Sequence, residues 1–129
     1  GFAVADKGLI AVMERVRESF NVNALGLVAA EAALADVDHL QASIAGNSAQ
    51  REALADALRA RGMKVAPSQT NFLLVEFGDH SSRIEARLVG RGVVLRPMGG
   101  YGLGECLRIT VGTEAENQRL LAALDEVMK

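Results

Sequence analysis

The chain has 129 residues, 50% hydrophobic and 23% charged, which gives room for one modest globular domain or for one domain and part of another. Net charge is −2 with both signs interspersed, aromatics are 4% and tryptophan is absent, so no extended nucleic-acid footprint or base-stacking surface is expected. No apolar run reaches the 18 residues of a membrane span, and the single cysteine, Cys106, excludes an internal disulfide and fits a reducing, cytoplasmic setting.

The chain starts at Gly1 rather than at methionine, as a fragment or a processed product would. The opening run GFAVADKGLIAVMERV lacks the basic start and the small-residue cleavage site of a signal peptide. Phe2–Ala5 reads as a short strand. Asp6 is an N-cap for a helix whose apolar stripe is Leu9, Ile10, Met13 and Val16, with Glu14, Arg15, Arg17 and Glu18 on its wet side. Ser19–Asn23 breaks that pattern, and Asn23 caps a second, alanine-rich helix from Ala24 to about Ala35. Asp36 starts a longer third helix that ends at Gly62, a natural residue just past a helix. Leu40, Ile44, Leu54 and Leu58 mark its apolar face, and Asn47 and Arg51 interrupt that face halfway. A helix apolar at both ends and polar in its middle suits a bridge between two packing units, so the domain boundary is placed there, with residues 1–46 before it and 47–129 after it.

The second half changes character. Pro67-Ser68-Gln69 is a turn leading into a strand, Asn71–Phe77. Ser82-Arg83-Ile84-Glu85 matches a capping box and opens a short helix with Ile84 and Leu88 inward, ended by Gly90 and Gly92. Val93-Val94-Leu95 is a strand stopped by Pro97, Met98–Glu105 is a glycine-rich loop, and Leu107–Val111 is a third strand. Thr113 and Glu116 form a second capping box, opening a last helix that buries Leu120, Leu121, Leu124, Val127 and Met128. The order β-α-β-β-α predicts a small α/β layer structure with helices on one face of a short sheet.

Arg108 is the residue that asks most for an explanation. It sits among β-formers in Cys106-Leu107-Arg108-Ile109-Thr110, and a guanidinium cannot be neutralised, so it must reach water or an anion. Two readings stand: a solvated or salt-bridged structural arginine, or a carboxylate clamp that donates two parallel hydrogen bonds from a rigid strand. Arg96 ends the preceding strand, and the two arginines converge if their strands pair. Tyr101 either closes over a ligand or covers the core. The loop Gly99–Gly104 is not a phosphate loop, because it runs into a strand rather than opening a helix. His39 and His80 lack metal-ligand spacing, no serine lies in a nucleophile elbow, and Glu52/Asp56 and Glu114/Glu116 read as helix-surface charges. Cys106 reads as a small buried thiol.

GFAVAD, ERVRESFNVN, PSQTNFLLVEF, GVVLRPMGGYGL and CLRITVGTEAEN occur in this order. Together they resemble the histidinol-phosphate aminotransferases, class I/II enzymes of fold-type I, over nearly the whole chain. Ser19 stands where that family often has proline. The resemblance implies the C-terminal part of such an enzyme: helices from the tail of a large pyridoxal-phosphate domain and a linking helix in 1–46, then the small C-terminal domain in 47–129. It implies a homodimer, a pyridoxal 5'-phosphate cofactor, and transfer of an amino group between histidinol phosphate and 2-oxoglutarate. By the same resemblance Arg108 grips the substrate's anionic group, Arg96 and Asn71 contribute to that pocket, and Phe20, Asn21, Asn23 and Tyr101 belong to the pocket rim or the dimer interface. Lys7, Lys64 and Lys129 do not match the family's Schiff-base lysine, so no catalytic or cofactor-binding residue is expected in this chain, and the isolated chain is expected to be inactive.

A reading of another class competes with this one. A β-α-β-β-α unit with an arginine and a glycine loop also suits an amino-acid-binding regulatory module without catalysis. The segment FNVN and everything before residue 47 favour the enzyme, since a regulatory module has no need of them.

Overall fold

A computed structural model describes residues 3–128, and the chain divides into two units, residues 1–39 and 40–129. Each helix start in the first unit is set by a short polar side chain. Asp6 accepts from Gly8 N at 2.7 Å and caps α1, Lys7–Met13. Asn23 accepts from Gly26 N at 2.7 Å and caps α2, Ala24–Ala35. The stripe expected to run to Val16 leaves the helix after Met13 and continues as a turn. Neither helix buries a residue. The expected strand is not formed by Ala3, Val4 and Ala5; Phe2 lies outside the described residues.

Asp36 accepts from His39 N at 3.0 Å at the start of α3, Val37–Ala60. The helix ends in a Schellman motif: Gly62, at φ 81°, donates to Arg59 O, and Met63 donates to Leu58 O. Only the C-terminal half of α3 is buried, through Arg51, Leu54, Ala55 and Leu58, while Leu40 and Ile44 stay half exposed.

The second unit is built on a four-stranded antiparallel sheet in the order β1-β2-β4-β3, comprising Lys64–Val65, Phe72–Glu76, Cys106–Thr110 and Arg96–Pro97. The strands alternate cleanly. Leu73 and Val75 of β2 and Leu107 and Ile109 of β4 are buried, and each residue between them is not. The buried face joins one apolar cluster with α3, with α4 (Ser81–Val89) through Ile84 and Leu88, and with α5 (Glu114–Val127) through Leu120, Leu121, Leu124 and Val127. Helices therefore cover one face of the sheet, as expected, and the other face is left to whatever meets it. The capping box of α5 forms as read, with Thr113 Oγ1 accepting from Glu116 N and Glu116 Oε2 accepting from Thr113 N. Arg61 locks the end of α3 to α5 with two hydrogen bonds to Asp125, at 2.7 and 2.8 Å.

Four details differ from the expected elements. β1 was not expected; it is two residues long, too short for an alternation to show, and is held to β2 partly by Lys64 bonded to Glu76 at 2.7 Å. The capping box at Ser82 does not form. A 3-10 turn, Gly78–His80, runs straight into α4, which starts one residue earlier, and Ser81 Oγ donates to Gly104 O instead. Val93–Leu95 is not a strand, because α4 also ends in a Schellman motif. Gly92, at φ 72°, donates to Val89 O and Val93 N donates to Leu88 O, which ties Val93 to the helix end and delays pairing to Arg96. Met128 is 47% exposed, one residue past α5. Among the described residues, no helix is long and apolar enough to cross a membrane.

Candidate functional site

The open face of the sheet carries two of the residues singled out in the sequence, Arg108 and Arg96. Alternation in β4 sends Leu107 and Ile109 to the core and therefore puts Arg108 on the opposite face, with Cys106 and Thr110. Arg108 is half-buried there. Among the described residues no hydrogen bond or ion pair engages its guanidinium, and its Nε is buried without a partner. What it does touch is an aromatic ring: the guanidinium carbon lies 5.1 Å from the centre of Phe72, within the range of a cation–π contact. Phe72 shares that face because Leu73 and Val75 take the core side.

Arg96 converges on Arg108. The two are register partners across β3 and β4, the pairing on which their convergence depended. Like charges directly opposite each other destabilise a sheet, and no ion pair engages Arg96 or Arg108 among the described residues. The sheet-face carboxylate of Glu76 is already committed to Lys64. Arg96 is exposed and leans on Tyr101, with Nη2 donating to the phenol oxygen at 3.3 Å and the guanidinium carbon 5.8 Å from the ring centre. Two arginines side by side, each resting on an aromatic ring and neither neutralised, form a surface suited to a planar or doubly charged anion.

Asn71 is placed differently. It is exposed, one residue before β2, and its carbonyl accepts from Val111 N at 2.9 Å. Alternation gives it the parity of Leu73 and Val75 rather than that of Arg108. The loop before it is fixed from α3: Arg51 Nη1 and Asn47 Nδ2 both donate to Thr70 O at 3.2 Å. Those are the two polar residues that interrupt the apolar face of α3, and this is what they do. At the other end of β4, the Asn117 amide bonds both Gly112 N and Gly112 O at 3.1 Å and carries the chain from sheet to helix.

Phe20, Asn21 and Asn23 lie in the first unit. Asn23 spends its side chain on capping α2, and Asn21 Oδ1 accepts from Arg17 Nη1 at 3.2 Å. Phe20 is 99% exposed at φ 58°, a left-handed conformation that costs a bulky residue about 1–3 kcal/mol.

Burial raises the thiol pKa of Cys106, and the charges of Glu76 and Glu105 raise it further, which keeps the sulfur protonated beside the arginine face. Lys64 is held protonated by its hydrogen bond to Glu76, and Lys7 opens α1. Lys129 lies outside the described residues. Clefts elsewhere in the second unit, of about 440 Å³ beside Val93–Leu95 and about 580 Å³ beside α4, contain neither arginine. Phe72 is the contributor that the sequence reading passed over. Its signal was present in NFLLVEF, where alternation pairs it with Leu74 on the side of Arg108.

The sequence model of the family "Aminotransferase class I and II" matches residues 1–124. Histidinol-phosphate aminotransferase 1 of Nitrosococcus oceani is 43% identical over 129 residues, all of this chain and 35% of that protein. Histidinol-phosphate aminotransferase 1 of Thiobacillus denitrificans is 43% identical over 128 residues, 99% of this chain and 33% of that protein. Among solved structures, a putative aminotransferase from Burkholderia pseudomallei is similar with a TM-score of 0.84 at 43% identity, over 95% of this chain and 38% of that one. The histidinol-phosphate aminotransferase from Sinorhizobium meliloti in complex with pyridoxal-5'-phosphate is similar with a TM-score of 0.82 at 33% identity, over 94% of this chain and 34% of that one. The chain spans about a third of the length of the curated relatives it matches.

Proposed function

The chain belongs to the class I and II aminotransferase family, and from that premise we propose that it is the C-terminal third of a pyridoxal-phosphate-dependent transaminase, a histidinol-phosphate aminotransferase of histidine biosynthesis. The complete enzyme moves the amino group of histidinol phosphate to 2-oxoglutarate, giving imidazole acetol phosphate and glutamate, and works as a homodimer. Residues 1–46 are the tail of its large domain with the linking helix, and 47–129 are its small domain. The names of the relatives support this reading, as does the exposure of the whole apolar helix α2, a surface that asks to be covered by further chain.

The residues of this chain do not fit the anchor of the cofactor. Lys64 is engaged with Glu76, and Lys7 starts a helix in the other unit. The cofactor's covalent and phosphate contacts belong to the rest of the polypeptide, and the isolated 129-residue chain is inactive. What this chain contributes is the grip on the substrate's anion. The observation that carries the proposal is Arg108 itself: half-buried on a strand, opposite Arg96, with no counter-ion among the described residues.

Arg108 receives the carboxylate of glutamate or 2-oxoglutarate through two parallel N–H···O bonds. Bonds of this charge-assisted kind contribute about 1.5–3 kcal/mol each. Because the guanidinium stands on a sheet rather than a loop, it fixes the orientation of the bound molecule as well as its affinity. Histidinol phosphate has no carboxylate, and its phosphate takes the same anion site in the other half-reaction, with Arg96 as the second donor. Tyr101 borders this anion site, Phe20, Asn21 and Asn23 belong to the dimer interface, and Asn71, which lies off the arginine face, contributes by fixing β2 against β4 through its carbonyl, which accepts from Val111 N.

The complete parent polypeptide, purified with pyridoxal phosphate and mixed with histidinol phosphate and 2-oxoglutarate, should produce glutamate. Glutamate formation from another amino donor but not from histidinol phosphate would overturn the substrate assignment. No amino transfer from any donor, with retained amino-acid binding, would identify a regulatory module instead.

A further inference from the structure

We infer that Tyr101 is a positioning residue that sets Arg96 as the second donor, beside Arg108, to the doubly charged phosphate of the substrate, and so governs selection for doubly charged substrates; the inference rests on the reading above that this face binds the substrate. Arg96 and Arg108 are held in different ways. Arg108 is the middle residue of a five-residue strand, half-buried and paired on both sides, with Leu74 on β2 and Arg96 on β3. Its backbone and its packing hold it without help. Arg96 begins a strand of two residues at the sheet edge, is exposed, and faces a like charge across the register. The bare expectation for such an arginine is to swing into water, away from Arg108.

Tyr101 opposes that swing with two contacts from one side chain. Its oxygen accepts from Arg96 Nη2 at 3.3 Å, and its ring lies 5.8 Å from the guanidinium carbon. A phenol suits this task better than a carboxylate. It orients the guanidinium without neutralising it, so the charge stays available for a substrate anion. The loop that carries Tyr101 has the means to bring it back over the sheet. A 3-10 turn, Gly99–Tyr101, starts two residues after β3 and closes at Gly102 with φ 74°, a conformation that glycine adopts freely. Leu103 N and Cys106 O are both tied to Met98, so the turn is anchored at its base.

The test compares Tyr101→Phe and Tyr101→Ala in the complete enzyme, each in the wild-type and in the Arg96→Ala background. In the wild-type background Tyr101→Ala should raise KM for histidinol phosphate roughly three- to tenfold, with a much smaller effect on kcat, and Tyr101→Phe should fall between, since it keeps the ring and loses the acceptor. In the Arg96→Ala background both substitutions should be nearly silent, because the group they position is gone. A merely structural role for Tyr101 would move KM and kcat together and equally in both backgrounds, and that result, or an unchanged KM, overturns the inference. Calorimetric titration of these four variants and their two parents with inorganic phosphate gives an answer that does not depend on turnover. Phosphate binding weakened by the Tyr101 substitutions only where Arg96 is present supports the positioning role, and binding unchanged by them in the wild-type background overturns it. If the wild-type enzyme binds phosphate in this Tyr101-dependent way but transfers no amino group, the transaminase reading fails and the positioning role stands.

Discussion

The two units of the chain are rich in the same side chains and use them in opposite ways. In residues 3–39 no described residue is buried, although α2 carries a single charged residue, Glu31, and Leu25, Leu27, Val28 and Leu34 are each more than half exposed. In residues 40–128 Leu54 and Leu58 of α3, Leu88 of α4, Leu120, Leu121 and Leu124 of α5, and Leu73 and Leu107 of the strands close on one another, and Leu58, Leu88 and Leu124 have no exposure at all. Both units have capped helices, so local signals start helices equally well in either. What separates them is tertiary cover. Capping and propensity specify where a helix begins, and only a facing apolar layer turns that helix into stability.

That contrast is open to direct attack. Leu58→Ala should destabilise the chain by about 2–5 kcal/mol in urea unfolding, the cost of a cavity in a closed core. Leu25→Ala, on an uncovered helix, should change it by less than about 0.5 kcal/mol in the isolated chain. Equal effects would break the comparison. In the complete polypeptide the Leu25 substitution should become costly, which sharpens it by showing that α2 is then covered.

Gly112→Ala comes next. A Cβ there would stand 2.9 Å from Glu116 Cβ and from its Oε2, so the capping box must shift, with a loss of about 1–3 kcal/mol in thermal or urea unfolding. Thr113→Ala removes one half of the same box and should cost about 1 kcal/mol. The smallest effect is on pH dependence. The Thr113 backbone N–H, and then its hydroxyl, hold the Glu116 carboxyl below its usual range. A depressed folded pKa contributes stability above the unfolded pKa of about 4.3 and loses it as pH falls through the folded value. The urea midpoint of the wild type should therefore fall more steeply below about pH 4.3 than that of Glu116→Gln; parallel curves would show that the box contributes nothing through charge.

Much of the fold was legible because it is written in local chemistry. Asp6, Asn23, Thr113 and Glu116 cap where their side chains reach free N–H groups, and Gly62 ends its helix in the left-handed conformation. The misreadings fall where a distant partner decides. Ser82 looked like a cap until Ser81 and Gly104 fixed the helix start, and Val93–Leu95 looked like a strand until Val93 was drawn to Leu88. Two-residue strands such as β1 carry no period to read. For the site, strand alternation sufficed to turn Arg108 away from the core, and hairpin pairing sufficed to bring Arg96 beside it. Asn71 was harder, since its place depends on where β2 starts, and that is set by Arg51 and Asn47 reaching from α3 to Thr70. The contacts of Phe72 and Tyr101 with the two arginines depend on side-chain directions that no spacing rule supplies.

The most direct test is Arg108→Lys in the complete enzyme, read by steady-state kinetics with glutamate and 2-oxoglutarate alongside the visible absorbance of the bound cofactor. Lysine keeps the charge and loses the fork, so kcat/KM should fall by about one to two orders of magnitude, the equivalent of one charge-assisted bond, while the cofactor spectrum stays as in the wild type. Unchanged kinetics with an unchanged spectrum would contradict the assignment of Arg108 as the anion clamp.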